Sequence, residues 1–273
     1  MSRKLKAMPG SQPGDVVLYT EVTTHCTNRC DFCPIDLVNR HGFINEAVQM
    51  KIIDLISSFS HQKFVVYPHL VGEPLIYQGL EKYIQSLTSL PNVELWLCTN
   101  GVLLDNFRIK SLYDSGLRNI WYSLFYCTDS YYQRHTHSDN FDRAMKNLYL
   151  LLSQNHLFEK IHIVLFSEDN REIEHEIRHK ENVTIEVHRK AHPWRSEGRY
   201  FKEKLFHLIF SKMGKFRTKY ICVSINGAVC FDWRNYNFYN SLGNISNLEA
   251  TLIMKQIETG HIDKAKRIFW RLD

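Results

Sequence analysis

The sequence has no apolar run long enough to cross a bilayer, and its first fourteen residues, MSRKLKAMPGSQPG, are basic and then rich in glycine and proline, with no apolar signal core. These absences set the expectation of a soluble, cytoplasmic protein. Cysteine is sparse: seven in 273 residues, at 26, 30, 33, 98, 127, 222 and 230. An odd, scattered set is not the dense framework of a small secreted domain, so disulfides are not expected. Strong charge is lacking too. A net charge of +5 is too mild for a dedicated nucleic-acid surface, although it is compatible with an anionic substrate. What is present is a chain 44% apolar, enough to bury a full core in one large α/β domain with a small appendage.

From residue 16 the chain alternates strand-like and helix-like stretches. VVLYTEVT (16–23) is β-branched and aromatic, and NEAVQMKIIDLISSF then places Val48, Ile52, Leu55, Ile56 and Phe59 on one helical face behind an Asn45 cap. KFVVYPHL (63–70) begins a second unit with a helix around 78–89, and VELWLC (93–98) begins a third, whose helix stops at Gly116. NIWYSLF (119–125), KIHIVLF (160–166) and NVTIEVH (182–188) complete six strands. Six strands separated by helices predict a parallel sheet with right-handed crossovers, a partial (β/α)6 TIM-like barrel, closed or half closed, with reacting groups in the loops after the strands. The expected layout is a flexible segment over 1–15, a core over 16–190 and an extension over 191–273. Within the extension, EKLFHLIFSKM reads as an amphipathic helix, YICVSINGAVCFDW as a hairpin and 248–270 as a charged helix.

Three of the seven cysteines fall in TTHCTNRCDFCPID (23–36), in the loop after the first strand. Three thiols so close suggest a metal centre. Zinc would want a fourth ligand, and no paired Cys-x-x-Cys follows downstream. An iron-sulfur cluster with three protein ligands leaves one iron open for substrate or cofactor. Three buried structural cysteines would not be separated by residues as polar as Thr27, Asn28, Arg29 and Asp31.

Cys26-x3-Cys30-x2-Cys33 after the first strand of a βα repeat resembles the signature of the radical S-adenosylmethionine (SAM) superfamily. The resemblance implies one [4Fe-4S] cluster on Cys26, Cys30 and Cys33, with the fourth iron chelated by SAM, and reductive cleavage of SAM to a 5'-deoxyadenosyl radical. It places Phe32 near the adenine, and Gly72, Glu73 and Pro74 where the SAM amino group is received. Asn100 and Ser123 fall where relatives contact the ribose or the methionine carboxylate, although short polar residues at strand ends also arise from capping. An external flavodoxin- or ferredoxin-like electron donor is implied, and no membrane or nucleic-acid partner.

INGAVCFDW and SLGNI look like the extension of the SPASM and Twitch branch, but its auxiliary-cluster cysteines are missing: Asp232 stands at one place, and no cysteine follows Gly243. With a two-residue turn at Asn226-Gly227, Cys222 pairs with Phe231 and faces away from Cys230, so the two share neither metal nor disulfide. A shortened, cluster-free lid is expected. Cys127, just beyond the fourth strand, is either a hydrogen donor or a small semi-buried cysteine, and Cys98 reads as core. His69 either faces the barrel mouth or is satisfied by backbone. The run HRKAHPWRSEGR, with Arg189, Lys190, Arg195 and Arg199, is either a solvated loop or a grip for an anionic group. The resulting expectation is a radical SAM enzyme acting on a small polar substrate, a sugar or natural-product intermediate, for epimerisation, dehydrogenation or rearrangement, because no N-terminal domain is present to recognise a leader peptide. A maturase of a ribosomally made peptide and a non-catalytic iron-sulfur sensor are the alternatives.

Overall fold

In the computed structural model, which describes residues 9–165, 171–187, 219–231, 238 and 241–259, the two faces of each strand take different residue types. Strands β1 (Val16–Thr20), β2 (Phe64–Tyr67), β3 (Val93–Thr99), β4 (Asn119–Phe125), β5 (Lys160–Leu165) and β6 (Val183–Val187) pair in parallel, in that spatial order. One face is aliphatic: Leu18, Val66, Leu97, Ile120 and Ile163 are buried with apolar side chains of the crossover helices. The other, inner face carries Val17, Tyr19, Val65, Tyr67, Trp96 and Trp121. Successive side chains of a strand point to opposite faces, so runs that read as continuously apolar are in fact sorted.

The crossover helices are α1 (Glu46–Ser57), α2 (Leu80–Thr88), α3 (Asn106–Asp114), α4 (Asp129–Thr136), α5 (Phe141–Ser153) and α6 (Arg171–Ile177). Asn45 Oδ1 caps α1 by accepting from the Val48 N–H at 2.9 Å. Gly116 follows α3 with φ +99°, the left-handed stop expected of it. Helix α4 has no counterpart among the elements expected from the sequence.

The barrel does not close. Strand β7 (Lys219–Val223) adds in parallel to the free edge of β1, with Tyr19 opposite Cys222, and β8 (Ala228–Cys230) and β9 (Gly243–Asn244) follow antiparallel. The result is one open sheet of nine strands, with helix α7 (Ala250–Thr259) after it. The hairpin register corrects the sequence reading. The turn holds three residues, 225–227, not two: Gly227 N–H donates to Ser224 O, and Ser224 N–H to Ala228 O, each at 2.9 Å. Gly227 has φ +81°, the left-handed residue that ends such a loop. The extra residue shifts the pairing so that Cys222 faces Cys230. Both are buried on the inner face beside Tyr19 and Tyr67, and no disulfide joins them. The basic run at 188–199, the amphipathic helix, Asp232 and the last part of the C-terminal helix lie outside the described residues.

Residues 9–15, expected to be flexible, are tied to the inner face. Tyr67 donates its hydroxyl to Pro9 O at 2.6 Å, and Lys63 bridges Glu94 and Asp15 at 2.7 and 3.7 Å. At the opposite end of β1, Arg40 grips Glu21 with Nε on Oε2 at 2.6 Å and Nη2 on Oε1 at 2.5 Å. The two side chains are 6% and 0% exposed. Ile225 N–H adds a bond to Glu21 Oε2 at 3.2 Å, and the guanidinium lies 4.8 Å from the Phe238 ring centroid. This fork fastens the β7 to β8 hairpin to the start of the cysteine loop. Arg40→Met leaves Glu21 buried and unpaired, so urea unfolding is expected to show a loss of about 3–5 kcal/mol, and adding Glu21→Gln to recover a large part of it.

Candidate active site

The cysteine loop has one short 3-10 turn of its own, Pro34–Leu37, and is otherwise held from outside. At its entry, Thr24 N–H donates to Gly42 O and Ile44 N–H to Val22 O, zipping the loop's two ends together. At its middle it docks on the end of α4: Arg29 N–H donates to Thr136 O at 2.8 Å and Asp31 N–H to His135 O at 2.9 Å. The last carbonyls of a helix have no partner within it, and here the loop supplies one. Side chains reinforce the dock. Asn28 Nδ2 donates to the buried Tyr132 hydroxyl at 3.0 Å, and Asp31 meets His135 Nδ1 at 3.0 Å and His137 Nε2 at 2.6 Å. Sequence reasoning missed these residues; the available signal was Thr128-Asp129 as a helix start with Tyr132 and Thr136 four apart.

The loop after β2 meets the cysteine loop from below. A Cβ on Gly72 would lie 2.2 Å from Thr23 O and 2.9 Å from His25 O, so only glycine lets the backbones approach. Glu73 N–H donates to His25 O at 2.8 Å, and Cys33 Sγ lies 3.9 Å from Val71 O. The Glu73 carboxylate is buried and accepts three bonds: from Leu75 N–H at 3.1 Å and the Thr99 hydroxyl at 2.7 Å on Oε1, and from Asn100 N–H at 2.8 Å on Oε2. Pro74 opens the short turn Pro74–Ile76 and is buried. Asn100 Nδ2 then reaches back to Thr27 Oγ1 at 2.9 Å and lies 3.7 Å from Cys26 Sγ.

Thus Cys26, Cys30, Cys33, Gly72, Glu73, Pro74 and Asn100 meet at one end of the sheet. Phe32 packs edge-on against Phe125, with centroids 4.9 Å apart. Phe125 has φ +67° at a register shift after Ser123, an unusual conformation for a bulky side chain at the mouth of the sheet. Ser123 faces inward with Oγ 3.6 Å from Cys98 Sγ, so Cys98 lies on the inner face as well. Cys127 is not brought to this group. It packs against the helix-side core, in the electrostatic neighbourhood of Tyr149 on α5. His69 is on the inner face, edge-on to Tyr19 and Tyr67.

Burial first, then Glu73, pushes the Cys26 thiol up to about 12, and burial with Cys33 and Cys26 as neighbours pushes Cys30 up as well. Thiols held up in this way ionise together only beside a cation, and a coordinating thiol gives up its proton outright. Among the described residues no three metal-ligating side chains converge on a single ion, as a zinc site requires. Three soft sulfur donors on one loop fit an iron-sulfur cluster.

The sequence pattern of the Radical SAM superfamily matches residues 20–179. The chain belongs to the radical SAM superfamily. Its members use a [4Fe-4S] cluster and SAM, and the donor set just described fits both. Among curated proteins, the GTP 3',8-cyclase of Staphylococcus carnosus (strain TM300) is 36% identical over 117 residues, 39% of this chain and 33% of that protein. The GTP 3',8-cyclase of Clostridium perfringens (strain SM101 / Type A) is 23% identical over 160 residues, 57% of this chain and 48% of its own. The match therefore spans about a third to a half of these relatives. Among solved structures, native anSMEcpe with bound AdoMet superposes with a TM-score of 0.62 at 13% identity, covering 94% of this chain and 84% of that one. BtrN in complex with AdoMet and 2-DOIA gives 0.54 at 17% identity, covering 90% and 87%. These two likenesses show a shared fold, an open partial barrel. No helix among the described residues is long and apolar enough to cross a membrane.

Burial lifts Glu73 from 4.5 to about 7, against the pull of its bonds from Asn100, Thr99 and Leu75. A carboxyl with a raised folded value takes up a proton on folding, so its contribution is fully present below about pH 4.5 and is lost as the pH rises through about 7. The stability of the metal-free protein relative to Glu73→Gln is therefore expected to fall between pH 5 and 8 by up to about 3 kcal/mol, read by urea unfolding at each pH.

Proposed function

We propose that the chain is an enzyme that abstracts hydrogen from a carbon of a small polar substrate, with one [4Fe-4S] cluster and SAM as its cofactors. The observation that supports it most is the joining of the cysteine loop to the ends of β2 and β3 through Glu73 N–H on His25 O and Asn100 Nδ2 on Thr27 Oγ1. Cys26, Cys30 and Cys33 would hold the cluster and leave one iron for SAM. When bound, cluster and SAM together supply a 5'-deoxyadenosyl radical and methionine from one added electron, drawn from an external flavodoxin- or ferredoxin-like donor.

The chain's own residues orient and exclude. Gly72 and Glu73 put a backbone edge and a carboxyl group beside the place of the SAM ammonium, a neighbour that favours the ionised carboxylate over the proton that burial would otherwise keep on it up to about pH 7. The Glu73 carboxylate does not swing, because three donors already grip it. Asn100 spans the cysteine loop and β3, Phe32 is braced by Phe125 beside the adenine, and Ser123 marks the inner-face limit of the SAM site. Strands β7 to β9 are read as a shortened SPASM/Twitch-like extension without a cluster, held to the cysteine loop by Glu21 and Arg40.

Anaerobically reconstituted protein with dithionite is expected to convert SAM to 5'-deoxyadenosine and to bind about four irons per chain. Cys26→Ala, Cys30→Ala and Cys33→Ala should each abolish both, and Asn100→Ala should lower turnover by about 10–100-fold. The double change Cys222→Ala with Cys230→Ala should leave the iron count unchanged. About eight irons in the parent protein would overturn the one-cluster reading.

A further inference from the structure

Three of the chain's cysteines belong to the loop after β1, and the other four divide by face. Cys127 packs on the helix side of the sheet, whereas Cys98, Cys222 and Cys230 are on the inner face. Cys98 stands on β3, and β2 and β1 lie between β3 and β7. At about 4.8 Å per strand, its Cα is about 14 Å along the sheet from that of Cys222. A disulfide joins Cα atoms no more than about 7 Å apart. Outside the cysteine loop, one couple is therefore within reach of itself: Cys222 and Cys230.

These two are held opposite each other from both sides. Strand β7 is in register with β1, Tyr19 facing Cys222, and β8 is in register with β9, Val229 facing Gly243. Leu242 N–H donates to Val229 O and Ile245 N–H to Gly227 O, each at 2.7 Å. The turn is packed against β9 as well, since a Cβ on Gly227 would lie 2.9 Å from Asn244 Oδ1. Opposed residues of an antiparallel pair have Cα atoms about 4.5 or 5.5 Å apart, both within the span of a disulfide, and their side chains leave the ribbon on one face. The two sulfurs need no change of register to meet. Side chains exposed by only 0% and 3% shut out a bulky thiol reagent, so the oxidant that suits them is small.

We propose that Cys222 and Cys230 are a redox modification site, at which a peroxide converts the dithiol to a disulfide that clamps β7 to β8 and a reductant reopens it. One thiol breaks the O–O bond of hydrogen peroxide, becoming a sulfenic acid and releasing a water. The second thiol attacks that sulfur, the S–S bond forms, and a second water leaves. Both electrons and both thiol hydrogens thus end in the two waters. The clamp closes a ring over 222–230, around the turn whose Ile225 N–H bonds Glu21 at 3.2 Å. It stiffens the part of the hairpin that touches the end of β1, where the cysteine loop begins.

Cleavage after Lys219 and Arg234 puts both thiols in one tryptic peptide, YICVSINGAVCFDWR, with no other cysteine in it. Reconstituted full-length protein is treated anaerobically with a small excess of hydrogen peroxide, unfolded in iodoacetamide and digested. Before treatment the peptide is expected to carry two alkyl labels. Afterwards it should carry none and weigh two hydrogens less than the unlabelled dithiol, and a phosphine reductant should restore both labels. In the intact protein, amide hydrogen exchange over 219–231 should slow by about tenfold on closing. Cys222→Ala and Cys230→Ala should each abolish both the closing and the slowing, with far-ultraviolet dichroism reporting the fold of each variant. The mass of the parent peptide reads the site even where a variant does not fold. Two labels that persist after peroxide, a sulfinic or sulfonic acid in place of the cross-link, a bond from either cysteine to any other, or closing without slower exchange overturns the proposal. No measurement here uses SAM cleavage, so the radical SAM reading is untouched by either result.

Discussion

The mouth of the sheet depends on one buried carboxylate. A loop that carries three thiols and only one short 3-10 turn, Pro34–Leu37, has little regular structure of its own, so much of its position is imposed by neighbours. Glu73 does much of this. Its N–H fixes His25 O in the cysteine loop, and its carboxylate draws in Thr99 and Asn100 from the end of β3. Asn100 closes the circuit on Thr27. Burying a carboxylate is costly unless its lone pairs are met, and here three donors meet them, which converts that cost into a rigid joint between three chain segments. Gly72 is the steric condition for the joint, since any side chain there would strike the Thr23 carbonyl.

A second constraint is the sorting of the sheet's faces. The aliphatic face packs against the helices and carries the larger of the two buried clusters. The inner face is free to be aromatic and polar because none of the described helices covers it. This division lets Tyr, Trp, His and Glu gather close to the cysteine loop without weakening the core. Residues 9–15 cross the inner face at the strands' starting ends, where Tyr67 and Lys63 take their carbonyls.

Much of this was legible in the sequence because it is local. The six core strands follow from short β-branched and aromatic runs, the first helix start from Asn45 and the third helix stop from Gly116, and the cysteine spacing and Gly72-Glu73-Pro74 from residues adjacent in the chain. What escaped detection is long-range. Helix α4 is short and polar, and its importance lies in docking Arg29 and Asp31, about a hundred residues away in sequence. The parallel pairing of β7 with β1 leaves no periodic trace. The hairpin failed for a subtler reason: Asn226-Gly227 suits both a two-residue and a three-residue turn, Gly227 is left-handed in either, and it is Asn226, which does not take the positive φ of a two-residue type I′ turn, that goes with the longer loop and the face Cys230 takes.

That one-residue difference changes the character of the extension. With Cys222 and Cys230 opposed on the inner face, the hairpin is a wall of the same chamber that Tyr19 and Tyr67 line, not an appendage beside it. Its position is set at two points, by strand pairing along β1 and by the Glu21 and Arg40 fork at the end of that strand. The fork also begins the cysteine loop, since Glu21 directly follows β1 and Arg40 lies seven residues past Cys33. A displacement of the hairpin is therefore felt at both ends of the loop that carries the thiols. The hairpin and the loop are thus joined by a buried ion pair, Arg40 with Glu21, to which the Ile225 N–H of the hairpin turn adds a third contact.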